Sequence, residues 1–444
     1  MQVPFVQYGG DACMIWNKAR ECMSRDELMT LQGKRLVSLV KKVYYSVEYY
    51  RRKMQQEGIE PGDIRGIEDL NKLPFTTKED LRQASPYDFL AVPQSEIVRY
   101  HSSGATTNAE IVVGCTRNDI EVWTECVARC IHMAGFSKND TIQIIYNYGF
   151  LSEGLGIHRG AEKVGASVVH SPINNMENLI KIMKCLNVTG IICAHSHLLR
   201  IGRIVENMNE MKNLKLKAAI CGAELWSERM RRDTKRMLNI ETYDIYGLNE
   251  LAGLGVACDC KYHKGLHIQE DYFIPEALDK NTTTMAKDGE SGELVFTTLQ
   301  REGMPLLRYR TGNQAIITRD RCDCGRTSAR LSLLGGKIND MFVIRGVSIF
   351  QFEIEDMFER LNDMNARYLM RIYAEANLDM IDVLVAMEKV GGTLPSEEEF
   401  IRNRVITEVR NTIGITPKVL FTDIEKVQKT ASGGYTVVDE RKYE

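Results

Sequence analysis

Four short apolar runs dominate the middle of the chain: TIQIIYNYG (141–149), ASVVHSP (166–172), TGIICAHS (189–196) and LKAAICGAE (216–224). Each is followed by a loop and a helical segment such as LWSERMRRDTKRML (225–238). A strand that is apolar at successive positions has no solvated face. It must lie in a sheet covered on both sides, as parallel strands joined by crossover helices are. The alternation from Val98 to about Thr318 therefore predicts an α/β domain with a largely buried sheet.

The flanks read differently. RDELMTLQGKRLVSLVKKVYYSVEYYRRKMQQEG carries apolar residues at three- and four-residue spacing, which predicts a helix ending at Gly58. A second strand-rich zone runs from ESGELVFTTL through LLRYRT to NQAIITRD. Beyond GGKINDMFVIRG, two predicted helices (QFEIEDMFERLN and EEEFIRNRVITEVRNTI) and two predicted strands (ARYLMRIYAE and MIDVLVAMEK) form a small α+β unit. The division expected is a large N-terminal domain, 1–338, and a small C-terminal domain, 339–444. No internal repeat or low-complexity tract interrupts it.

Composition narrows the function. A chain of 444 residues, 44% of them hydrophobic, can bury a sizeable core. The 57 basic and 60 acidic residues leave a formal charge of -3, so charge gives no case for a nucleic-acid or anionic-membrane partner. No apolar run approaches the roughly 20 residues that span a bilayer. The start, MQVPFVQYGGDACMIWNKAR, lacks the basic and apolar regions of a secretory signal, so the expected location is the cytoplasm. There the twelve cysteines stay reduced, as core residues or metal ligands.

Ser102, Ser103, Gly104, Thr106 and Thr107, in RYHSSGATTNAEIVVGCT, follow a predicted strand ending near Tyr100. Hydroxyls and a flexible backbone can ring phosphate oxygens, although such a stretch alone is more often just a turn. Further motifs follow it in order: GAELW (222–226), DIYGLNE (244–250), SGELVFTTL (291–299), LLRYRTGN (306–313) and DMFVIRGVSIF (340–350). With LPFTTKEDLR (73–82) and YNYGFLSEGLGIHRGAEKVGA (146–166), this series resembles the phenylacetate–CoA ligases of the adenylate-forming superfamily over nearly the whole chain.

The resemblance implies a two-step reaction. A carboxylate attacks the α-phosphate of ATP to give an acyl-adenylate and pyrophosphate, then the thiol of coenzyme A displaces AMP. A mobile C-terminal domain reorients between the steps. It implies an aromatic acid, ATP and coenzyme A as partners, with Mg²⁺ as cofactor; homodimers are common in the family. By residue, the resemblance assigns Gly222, Ala223, Glu224, Asp244, Ile245, Tyr246 and Gly247 to the adenine slot. Glu250 is assigned to magnesium, and Tyr146, Tyr148, Gly149 and Gly154 to the acid pocket.

Several positions depart from the family pattern. The phosphate loop of the family reads Ser-Ser-Gly-Thr-Thr-Gly-Lys-Pro. Here the second glycine, the lysine and the proline are absent, and the loop is one residue longer before VVG. Asn313 replaces a ribose-binding aspartate, Lys337 an arginine, Asn339 the hinge aspartate, and Asn249 a serine or threonine. In the tail, IEKVQKTASGGYTVVDERK, Gly433 falls near the adenylating lysine; Lys429 and Lys426 lie upstream, within reach if the intervening residues loop out.

CDCKYHKGLH (258–267) and RCDCGRT (321–327) hold two Cys-x-Cys pairs, which suit a closed, structural Zn²⁺ site. Some members of the family carry a matching set, which corresponds here to Cys260, His267, Cys322 and Cys324, with Cys258 and His263 in reserve. Two functional readings stand at this point. One is an acid–CoA ligase using Glu250 and Lys429 as catalytic residues, with Asn313 and Lys337 still on the nucleotide. The other is a ligase homologue with lost or altered adenylation, which binds a nucleotide or aromatic ligand or performs only a thioester half-reaction. A zinc-dependent interaction module on the same scaffold ranks last.

Overall fold

The computed structural model describes residues 14–85, 87–102, 111–146, 153–171, 176–208, 210–223, 228–251, 253–279, 284–333, 341–345, 347–350, 354, 357–358, 361, 366–375, 378–387, 395–422 and 435–441. In chain order its strands are β1 (Arg99–Ser102), β2 (Val112–Cys115), β3 (Thr141–Ile145), β4 (Ser167–His170), β5 (Gly190–Ala194), β6 (Ala218–Gly222), β7 (Glu241–Leu248), β8 (Gly253–Cys258), β9 (Leu266–Ile268), β10 (Phe273–Leu278), β11 (Ser291–Thr298), β12 (Tyr309–Thr318) and β13 (Arg330–Leu333). The C-terminal part adds β14 (Met341–Ile344), β15 (Val347–Phe350), β16 (Ala366–Glu375), β17 (Leu378–Met387), β18 (Lys418–Thr422) and β19 (Tyr435–Asp439).

One sheet of eleven strands, in the order β10-β11-β12-β13-β9-β8-β7-β6-β5-β3-β4, organises most of the chain. From β4 to β7 the strands are parallel, and every pair from β7 to β10 is antiparallel. The parallel half is the one legible as continuous apolar runs. β5 and β6 are buried at every position, because helices such as Glu153–Val164 and His195–Asn207 cross between the strands. LLRYRT and NQAIITRD, read as separate runs, meet in the single strand β12.

The N-terminal helical stretch divides into Arg25–Ser46 and Glu48–Gln56. Val47 between them is extended (φ -119°, ψ 107°) and fully buried. The apolar periodicity carries across this break, so spacing alone predicts one helix. Ser24 and Glu27 form a capping box at the start.

The C-terminal sheet runs β18-β17-β16-β19, with the helix Pro395–Ile413 contributing Ile401, Val405 and Val409 to a separate apolar core. The expected helix QFEIEDMFERLN lies mostly outside the described residues, as does the expected division between 338 and 339. Among the described residues no helix is long and apolar enough to cross a membrane.

Candidate functional site

The carboxyl ends of β3, β5, β6 and β7 lie side by side, and in an open parallel sheet that rim is where ligands bind. Tyr146, immediately after β3, sends its hydroxyl to the carbonyl of Gly222 at the end of β6, 3.1 Å away. One hydrogen bond thus joins the segment expected to line the acid pocket to the segment expected to hold adenine. The imidazole Nε2 of His170 lies 3.3 Å from the Tyr146 carbonyl, a structural role for that histidine. Gly154 is buried in the helix Glu153–Val164.

A side chain at Gly222 would meet the carbonyl of Ile245 at 2.6 Å, so glycine lets β6 end close against β7. Ala223 beyond it is left-handed, with φ 68°. The register of β7 against β8 shifts between Tyr246 and Gly247. There a Cβ on Gly247 would stand 1.9 Å from the Gly253 carbonyl, which requires glycine. The shift turns the chain into Asn249–Leu251 and sets Tyr246 and Glu250 on the rim.

Tyr246 is buried, and its hydroxyl donates to Oδ1 of Asn313 across 3.0 Å. Burial raises the phenol well above its ordinary range, so it stays a donor. Asn249 Nδ2 donates to the carbonyl of Ser102, the last residue of β1 before the expected phosphate loop, at 3.2 Å. The neighbouring Glu250 is buried, and its carbonyl accepts from Nη1 of Arg301 at 2.5 Å. Burial raises the Tyr309 phenol, and the adjacent Glu250 carboxylate raises it further.

Asp244 does not present a free carboxylate. Its Oδ1 pairs with His195 Nε2 (3.1 Å) and its Oδ2 with Arg231 Nη2 (2.9 Å). Burial pushes this carboxyl up, but the bond from His195 and the charges of His195 and Arg231 outweigh it and hold the group below the usual range. With its carboxylate so engaged, Asp244, like Ile245, can contribute to the expected adenine slot through the backbone of β7. Arg231, His195 and Arg301 escaped the sequence reading. RMRRDTKR reads as a solvated helix face, and for Lys235 and Arg236 it is one, yet Arg231 turns inward. A single arginine in a helix or a loop carries no pattern that separates these roles.

Cys260, His267, Cys322 and Cys324 are all buried, and their donor atoms lie within 4.8 Å of one another. Cys260 Sγ and Cys322 Sγ are 3.8 Å apart, and Cys324 Sγ is 3.3 Å from His267 Nε2. A tetrahedral site with Zn–S bonds of about 2.3 Å has edges of about 3.8 Å, so the donor set fits that ion. Nδ1 of His267 faces Ser328 Oγ at 3.2 Å, the outer contact that orients a ligating imidazole. The Cys324 thiol is held far below its ordinary range by Cys260 and, against burial, by His267. The reserve pair turns elsewhere: Cys258 Sγ donates to the carbonyls of Cys130 and Asp259, and His263 binds the Asp259 carboxylate.

The remaining expected positions, Ser103, Gly104, Thr106, Thr107, Tyr148, Gly149, Glu224, Lys337 and Lys429, lie outside the described residues, as do Asn108, Asn339, Lys426 and Gly433.

Comparison with known proteins gives a consistent set of relatives. Residues 346–441 match the family model for the C-terminal domain of AMP-binding enzymes. The phenylacetate–coenzyme A ligase of Escherichia coli (strain K12) is 35% identical over 425 residues, covering 95% of this chain and 97% of that protein. The phenylacetate–coenzyme A ligase of Thermus thermophilus is 34% identical over 445 residues, covering 97% and 100%. In fold, the chain is similar to 2-hydroxyisobutyryl-CoA ligase, crystallised with 2-HIB-AMP and CoA in the thioesterification state. The TM-score is 0.87 at 22% identity, with 98% of this chain and 95% of that one covered.

Proposed function

Because the chain belongs to the phenylacetate–coenzyme A ligase family, we propose that it activates an aromatic, phenylacetate-like carboxylic acid with ATP and transfers the acyl group to coenzyme A. The observation that carries this reading is a set of three hydrogen bonds that joins five motif segments. Tyr146 bonds to Gly222, Tyr246 to Asn313, and Asn249 to the stalk of the phosphate loop.

In this reading the acid lies beside Tyr146, Tyr148, Gly149 and Gly154, where glycines let backbone approach an aromatic ring. Adenine lies against the backbone of Gly222–Glu224 and Asp244–Gly247. Tyr246 and Asn313 face the ribose, with Asn313 offering a neutral acceptor where the family pattern has a carboxylate. Ser102, Ser103, Gly104, Thr106 and Thr107 ring the phosphates with hydroxyl and N–H donors. Adenylation brings a carboxylate to a polyanion, so oriented donors and fixed positive charge lower the barrier. Mg²⁺, which takes one or two carboxylates along with substrate phosphates, would be held by Glu250 and would neutralise phosphate charge. Lys429 supplies a further cation from the C-terminal domain, 339–444, which reorients about Asn339 between the two steps, while Lys337 stays on the nucleotide.

Zn²⁺ at Cys260, His267, Cys322 and Cys324 is structural in this reading. With four protein ligands it has no open position, and it ties the β8–β9 connection to the segment before β13.

ATP–pyrophosphate exchange across a panel of aryl and arylacetic acids tests the proposal, with acyl-CoA formation as the second readout. Exchange driven by an arylacetic acid supports it. The changed ribose position favours one alternative, a homologue that binds AMP or an acid without adenylating. Calorimetric AMP binding with no exchange for any acid would select that alternative.

A further inference from the structure

Arg231 stands between the metal cluster and the expected adenine slot and touches both sides. It lies on the helix Glu228–Leu238 and is largely buried. Nη2 donates to Asp244 Oδ2 at 2.9 Å. Nη1 donates to the carbonyl of Thr242 at 2.8 Å, and lies 3.5 Å from Asp259 Oδ2 and 3.1 Å from His263 Nδ1. Asp259 immediately precedes the cluster's Cys260, and the His263 amide closes the turn on the Cys260 carbonyl at 3.0 Å. The Asp259 amide in turn donates to the Asp244 carbonyl at 2.8 Å. The two aspartates are therefore neighbours in backbone as well as side chain, and Arg231 is the cation they share.

We infer that Arg231 is a positioning residue for the nucleotide slot, coupling the metal-bound loop 258–263 to the adenine strand β7. The inference rests on the metal and nucleotide readings given above. Two neighbouring carboxylates, one buried and one half-buried, repel unless a cation lies between them, and a planar guanidinium can bond both at once. The metal fixes Cys260, Cys260 fixes Asp259, and Asp259 holds Arg231 in the plane that reaches Asp244. Loss of the metal frees Asp259 and lets Asp244 and the chain through Tyr246 move. Coupling of this kind is reciprocal: nucleotide must tighten metal binding by the factor by which metal tightens nucleotide.

The test is AMP affinity by calorimetry for wild type and R231Q, each metal-loaded and after chelation, with metal content measured and near-UV circular dichroism checking the fold. Metal removal should weaken AMP about tenfold in wild type. Loaded R231Q should bind AMP about tenfold more weakly than loaded wild type, and lose less than about twofold more on chelation. Wild-type affinity indifferent to metal, or the full metal effect persisting in R231Q, overturns the inference. Absence of AMP binding by loaded wild type overturns the nucleotide reading as well. If chelated wild type or R231Q unfolds, loaded D259N decides, since it keeps all four ligands and cuts the link on the loop side. A several-fold weaker AMP affinity supports the coupling, and unchanged affinity refutes it.

Discussion

Tyr246 and Asn313, 67 residues apart in sequence, are joined by a 3.0 Å hydrogen bond from the phenol hydroxyl to the amide oxygen. The pair fixes β12 to the end of β7 at the position where ribose is expected. An amide oxygen can accept this bond, so the asparagine is compatible with an ordered site. What it lacks is charge.

N313D restores a charged acceptor, and charge-assisted hydrogen bonds are roughly twice as strong as neutral ones. KM for ATP should fall about fivefold, the equivalent of ~1 kcal/mol, with KM for the acid unchanged. N313A should raise it. Steady-state kinetics at saturating acid make the check.

Arg301 holds the carbonyl of Glu250 from a buried position. R301Q removes a charged donor and should lower kcat by about tenfold to a hundredfold, the range for a lost buried charged hydrogen bond. KM for the acid should stay within about twofold, because the contact is to the Glu250 turn. R301K should recover part of kcat; failure of both variants with a much lower melting temperature would assign Arg301 to stability alone.

Gly247 admits no side chain. G247A should destabilise the protein by more than about 2 kcal/mol, because the obstructing atom is backbone. G62A is the control, since a Cβ there meets nothing within 4 Å, and it should be nearly neutral. Urea denaturation of the two variants gives the comparison.

His101 is buried at the end of β1, edge-on to Trp123, and its pKa is lowered to about 4 by burial and then by Arg99 and Arg301. The folded state keeps it neutral while the unfolded chain protonates below about 6.5. Stability therefore falls as pH drops from about 6.5 to about 4, and this histidine contributes no further loss below that. His197, also lowered to about 4 with burial as the main cause, acts in the same window. H101Q should reduce the slope of melting temperature against pH there.

The parallel half of the sheet was legible because two-sided burial writes continuous apolar runs, as in β5 and β6. The segments expected to hold adenine, acid and metal stand out in the sequence because each is a compact motif. The contacts that hold them were not. Asn249 reaches Ser102 over 147 residues and Arg231 turns in from a basic helix, and neither leaves a periodic trace. Val47 breaks a helix whose apolar spacing runs on unbroken, since tertiary burial rather than local pattern sets the bend.

Pyrophosphate exchange with phenylacetate as the acid, in the presence of Mg²⁺, tests the central claim most directly. The account predicts acid-dependent exchange that is lost in E250A, accompanied by phenylacetyl-CoA formation when coenzyme A is added. No exchange with any aryl or arylacetic acid, from folded protein that binds AMP, would contradict it.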